Sequence, residues 1–97
     1  MLDKLTIIAK IKAKSENLNE VKRAVVKLIE PTRKEKGCIQ YDLHQDQQEP
    51  EVFIFVENWE SKVSWDAHMQ SSHLQSFIKE MDGLLVDLTV HQMSQIN

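Results

Sequence analysis

The 97-residue sequence has a single cysteine, Cys38, so an internal disulfide is excluded. Its two glycines, Gly37 and Gly83, are far apart and build no phosphate-cradling loop. Basic residues are outnumbered, twelve to fifteen, for a net charge of −3, and the nearest thing to a basic block is the scattered Arg33, Lys34 and Lys36. Binding to a nucleic-acid backbone is therefore disfavoured, and no nucleic-acid partner is expected. No apolar run approaches the roughly 20 residues needed to cross a bilayer, so no membrane partner is expected. The opening M-L-D-K-L-T lacks the parts of a secretory signal, and a soluble, cytoplasmic protein is the expectation. Also missing are H-x-x-x-H and C-x-x-C spacings, a C-x-x-C-H haem attachment and a Ser-His-Asp motif. A metal pair would need a third ligand beyond two histidines, so no metal is expected.

What is present is ordinary globular composition, 41% hydrophobic and 28% charged. A chain of this length buries about 65% of its unfolded surface, enough for one core, so residues 1–97 are read as one domain. From Leu5 to Lys14, Ile7, Ala9, Ile11 and Ala13 alternate with Ile8, Lys10, Lys12 and Lys14, the period of a half-buried strand. Asn17 with Glu20 predicts a capping box. A helix follows whose stripe is Leu18, Val21, Val25, Leu28 and Ile29. Pro31 predicts an end or kink, with a restart that stops at Gly37. Cys38 to Gln45 alternates again, and the polar D-Q-Q-E-P predicts a hairpin into Val52 to Trp59. That strand is apolar on both sides at first, which predicts a central strand covered on both faces. Ser61 predicts the cap of a short helix carrying Val63, Trp65, Ala67, His68 and Met69. Ser72 with Gln75 predicts a second box before the stripe Leu74, Phe77, Ile78 and Met81. Gly83 ends that helix, and Leu84 to Met93 alternates as the last strand. The order β-α-β-β-α-β with a central hairpin is that of a ferredoxin-like α+β fold. The apolar outer face of Val52 to Val56 needs a cover, which predicts a homodimer.

Val52 to Phe77 holds both tryptophans and two of the four histidines, the residue types of an aromatic-walled pocket with a titratable group. Trp59 and Trp65 serve equally as core or as pocket wall. His68 and His73 lie five apart across the Ser71–Ser72 break; they converge only if the chain kinks there. Imidazole titrates near neutral pH and can take a phenolic proton. Glu57 shares a strand face with Phe53 and Phe55, and Lys10 or Lys12 is the expected ion-pair partner. Tyr41 points a hydroxyl at the helix-covered side as a pocket group or a buried, hydrogen-bonded tyrosine. Cys38, with no base beside it, reads as an inert thiol.

Three segments, E-K-G-C-I-Q-Y (Glu35 to Tyr41), F-I-F-V-E-N-W-E-S (Phe53 to Ser61) and A-H-M-Q-S-S-H (Ala67 to His73), resemble the antibiotic biosynthesis monooxygenase family and its small quinol monooxygenase-like members. The resemblance spans essentially the whole chain and implies a dimeric α/β barrel of ferredoxin-like subunits. It implies oxidation of quinols or other electron-rich aromatics by dioxygen without flavin, haem or metal, so no cofactor is expected. Matching segments put Trp59, His68 and His73 in or near the family pocket, with Glu57 and Tyr41 in support. Trp65 has no such match, and Phe77 is counted as pocket by its place in the second helix stripe. The haem-degrading members look to need a tryptophan at His68 and a histidine at Ile78, and the chain has neither. A related branch that isomerises a small phosphorylated signal, and a dimer that only binds an aromatic metabolite, use the same residue types.

Overall fold

The computed structural model describes residues 4–97. Its elements are β1 (Leu5–Ala13), a 3-10 turn at Ser15–Asn17, α1 (Leu18–Lys27), α2 (Ile29–Arg33), β2 (Cys38–Gln45), β3 (Val52–Trp59), α3 (Lys62–Met69), α4 (Ser72–Glu80) and β4 (Leu85–Met93). The strands form one antiparallel sheet in the order β2-β3-β1-β4, the ferredoxin-like arrangement expected from the element order.

Alternation in β1 and β3 decides which side of the sheet the helices cover. Ile7 faces Glu57, Ala9 faces Phe55 and Ile11 faces Phe53 across the strands, and all six are buried. Val21, Val25 and Leu28 from the α1 segment, and Leu74, Phe77 and Met81 from the α4 segment, close over this face. Each such side chain contributes about 1.5–3 kcal/mol by leaving water. The other face carries Ile8, Ile54 and Val56, half-buried within one chain, together with Lys10 and Lys12. β3 is an inner strand, as its composition predicts, but this chain alone covers only one of its faces.

Three local expectations are corrected. Asn17 stands at the N-cap of α1 yet its side chain makes no capping hydrogen bond, because the 3-10 turn at Ser15–Asn17 leads directly into the helix. The cap of α4 is Ser71, not Ser72: its Oγ accepts from the Leu74 amide at 3.3 Å, and Gln75 donates instead to the Met69 carbonyl. Val63 is 78% exposed, so the buried side of α3 is Trp65 and His68, three apart on one face. Ser61 caps α3 as expected, accepting from the Ser64 amide. The helix break near Pro31 also stands, and its physical cause is visible. Pro31 has no amide hydrogen for the Lys27 carbonyl and its ring crowds that carbonyl, so the α1 ladder ends at Lys27 and resumes through Thr32 N–H to Leu28 C=O.

Gly37 seats the β2 entrance on the start of α3. It has φ +87°, its carbonyl accepts from the Glu60 amide at 2.8 Å, and a Cβ there would lie 2.1 Å from Ser64 Oγ. Gly83 has a similar φ of +80° with open space around it. Gly37→Ala is expected to cost roughly 2–4 kcal/mol, combining left-handed backbone strain with overpacking. Gly83→Ala carries only the backbone share, about 1 kcal/mol. Urea unfolding of the two variants tests the difference; equal losses would remove the close approach from the account.

Candidate active site

The chain does kink at the serine break, which meets the condition for the two histidines to converge. α3 ends at Met69, Gln70 and Ser71 turn the chain, and α4 restarts at Ser72. His68 in the last turn of α3 and His73 in the first turn of α4 thereby come within 6.1 Å, ring centre to ring centre.

What holds them is Glu35, in the loop between α2 and β2. Its Oε2 lies 2.7 Å from His68 Nδ1 and 2.7 Å from His73 Nε2. With the carboxylate ionised, each contact needs an N–H on the ring nitrogen that faces it. His68 is then the Nδ1–H tautomer, and its Nε2 keeps a lone pair. The His68 side chain is 3% exposed and that of His73 24%. Burial drives the His68 pKa below its usual value, against the pull of Glu35, so the neutral ring is favoured. Glu35 lies within one of the resembling segments but is not among the site residues the sequence points to. In sequence it is one charge among T-R-K-E-K, and the adjacent Gly37 is the one local sign of a tight approach.

Aromatic rings fix His68 from two further sides. Trp59, fully buried, lies 4.8 Å from it at 33°, and Tyr41 meets it edge-on at 5.7 Å while stacking on Phe55 at 4.6 Å. The expected ion pair of Glu57 with Lys10 or Lys12 is corrected. Both lysines project from the opposite sheet face, opposite Ile54 and Val52, and Lys12 pairs with Glu49 at 2.8 Å. Glu57 Oε1 instead accepts from Trp59 Nε1–H at 2.9 Å. Burial pushes the Glu57 carboxyl up to about 7. Burial likewise drives the Tyr41 phenol far above its normal range, so it stays protonated; the buried Thr32 hydroxyl lies near it without a hydrogen bond of good geometry. Cys38 is pushed up to about 11, chiefly by burial, consistent with an unreactive thiol.

Tyr41, Glu57, Trp65, His68 and Phe77 share a cavity of about 80 Å³ between sheet and helices, closed further by Ile11, Met69, Leu74, Leu88 and Val90. Trp59 and His73 do not line it. Trp59 backs His68 and orients Glu57, and His73 opens on a shallow cleft beside Lys27, Ser76 and Glu80. The imidazole pair thus runs from this apolar cavity to a surface cleft through one carboxylate. A wider surface depression of about 680 Å³ runs along α1 at Asn19, Arg23 and Glu80, but it has charged walls and no aromatic ring. Among the described residues no helix is long and apolar enough to cross a membrane.

The family model described as antibiotic biosynthesis monooxygenase matches residues 4–80. An uncharacterised Synechocystis protein, sll1783, is 31% identical over 83 residues, which is 86% of this chain but 56% of that protein's length. The Escherichia coli protein named "Probable quinol monooxygenase YgiN" is 24% identical, covering 89% of this chain and 92% of its own. A crystal structure titled as an antibiotic biosynthesis monooxygenase superposes with TM-score 0.90 at 31% identity, covering 96% of this chain and 99% of that one. The chain belongs to the antibiotic biosynthesis monooxygenase family.

Proposed function

We propose that the protein is a cofactor-independent monooxygenase acting on a quinol or similar electron-rich aromatic. The observation that carries the reading is the Glu35–His68 contact, which leaves His68 Nε2 as a proton acceptor on a ring that lines an apolar, aromatic cavity. Family membership and the name of the Escherichia coli relative support the reaction class.

In this mechanism His68 Nε2 takes the phenolic proton, and the imidazolium formed is stabilised by Glu35. The Glu57 carboxyl, neutral through much of the range below pH 7, donates to an oxygen of the anion. The electron-rich phenolate reduces dioxygen; one oxygen atom enters the ring, giving a hydroxyquinone, and the other leaves as water. Excluding bulk water strengthens each of these interactions.

The cavity constrains the substrate. At about 80 Å³ it is smaller than the roughly 150 Å³ cavity known to accept benzene, so enclosing even one ring requires the walls to adjust. Single-ring quinols are the expected class. An oxygen electrode with such quinols tests the proposal: uptake above the autoxidation rate, one O₂ per hydroxyquinone formed, is expected. A rate no higher than autoxidation would reject oxygenation in favour of an isomerase or a binding protein.

The half-covered face at Ile8, Ile54 and Val56 supports a homodimer in which a second sheet completes the burial. Light scattering after size exclusion is expected to give twice the chain mass of 11.3 kDa at micromolar concentration. Ile54→Lys should shift it to the monomer. A monomeric wild type would rule this assembly out.

A further inference from the structure

We propose that Glu35, His68 and His73 constitute a binding site for a divalent first-row transition metal of the zinc class. The donors come from three separate places: the loop after α2, the end of α3 and the start of α4. Their ligand atoms, Glu35 Oε2, His68 Nδ1 and His73 Nε2, lie within 4.8 Å of one another. Two imidazole nitrogens and a carboxylate oxygen form a donor set that zinc, cobalt(II) and iron(II) take readily. Around a tetrahedral ion with metal–ligand bonds of about 2.0–2.1 Å, neighbouring donors are roughly 3.4 Å apart. The two contacts of 2.7 Å therefore need to open by under 1 Å, and the two ring nitrogens, within 4.8 Å of each other, need to draw towards the same spacing by side-chain rotation. Both nitrogens already face one oxygen, so a single cation between them would replace two N–H protons with only modest ring adjustment. The surroundings supply the rest. Trp59 and Tyr41 hold the His68 ring from either side, and the capped start of α4 fixes the backbone at His73. Three protein donors leave the fourth position open to water, on the side where His73 reaches the surface cleft.

Occupancy would change the proton inventory of His68. A neutral imidazole carries one proton, so a metal on Nδ1 moves that proton to Nε2, converting the acceptor into a donor. This consequence, and only this one, rests on the proposed oxygenase reading: the metal would inhibit proton abstraction rather than assist it. Binding itself is independent of any activity.

The test titrates tag-free, chelator-treated protein with cobalt(II) chloride and follows visible d–d absorption, then measures zinc(II) affinity by competition with a chromogenic chelator. One metal per chain is expected. Glu35→Gln and His73→Gln are each expected to weaken binding by at least about 100-fold, since even outer-shell partners are worth 10–100-fold. Circular dichroism of both variants checks that they fold, and His44→Gln with His91→Gln controls for surface imidazoles. No stoichiometric binding to the wild type, or unchanged affinity in folded Glu35→Gln and His73→Gln, overturns the site. If oxygenation fails while cobalt binds as described, the metal site stands and the oxygenase reading falls.

Discussion

His68→Gln is expected to lower enzyme-dependent oxygen uptake with a single-ring quinol by about 10²- to 10⁴-fold, the range a positioned general base contributes. Glutamine has an amide that can still donate to Glu35 across the 2.7 Å contact, so the partly buried carboxylate oxygen keeps a partner. It has no lone pair basic enough to take a phenolic proton. The loss should fall on kcat more than on KM, because the cavity walls at Tyr41, Trp65 and Phe77 are untouched. Glu35→Gln supplies the second arm. It keeps the shape but can offer N–H where oxygen stood, which no longer enforces the Nδ1–H tautomer of His68. Its rate should also drop, with the fold retained by circular dichroism. Full activity in folded His68→Gln would remove His68 as the base.

Glu57 gives the second large effect, on stability. Its carboxyl titrates near 7 in the folded chain against 4.5 as the reference value, through burial first and, more weakly, the charge of Glu35. The folded state therefore binds this proton more tightly than the unfolded state does. Between about pH 4.5 and 7 the unfolded chain has already lost it, so stability falls as pH rises through that window and levels off above it. A difference of this size corresponds to about 3 kcal/mol at pH 8. Glu57→Gln keeps an acceptor for Trp59 Nε1–H without the ionisation. Urea unfolding should show variant and wild type similar at pH 4.5, with the variant ahead by up to about 3 kcal/mol at pH 8. A stability difference that does not change with pH would show that Glu57 ionises freely in the folded protein.

The parts of this molecule that follow from local chemistry were legible in the sequence. Alternation at Ile7 to Ala13 and Val52 to Phe55 defined both inner strands, and the stripe Val21, Val25 and Leu28 defined the first helix face. The same alternation contained the correction at Glu57: Lys10 and Lys12 sit out of phase with Ile7, Ala9 and Ile11, and the register puts Glu57 opposite Ile7. Register is a tertiary property, so the strand pattern alone did not reveal it. The cap of the last helix falls one residue earlier than expected, at Ser71 and not Ser72, because adjacent serines offer the same acceptor, whereas Asn17 holds the expected N-cap position without making the bond. Glu35 was the most consequential omission. It lies 33 residues before His68, and tertiary seating of its loop, with Gly37 close against Ser64 and bonded to Glu60, brings it to the histidines.

The sheet order has a kinetic implication. β4 is the last strand in the chain and lies at an edge, hydrogen-bonded to β1 alone, while Leu88 and Val90 from it wall the cavity. Glu35, His68 and His73 all precede it, so the chemical groups can assemble on the earlier elements before the wall is added. β2 is also an edge strand with one bonded neighbour, but β4 adds four exposed apolar residues, Val86, Leu88, Val90 and Met93, and so has less to lose by peeling back. Hydrogen exchange should find its amides the quickest of the four strands to open. Breathing of this strand would then open the outer wall of the cavity while leaving the histidine helices in place.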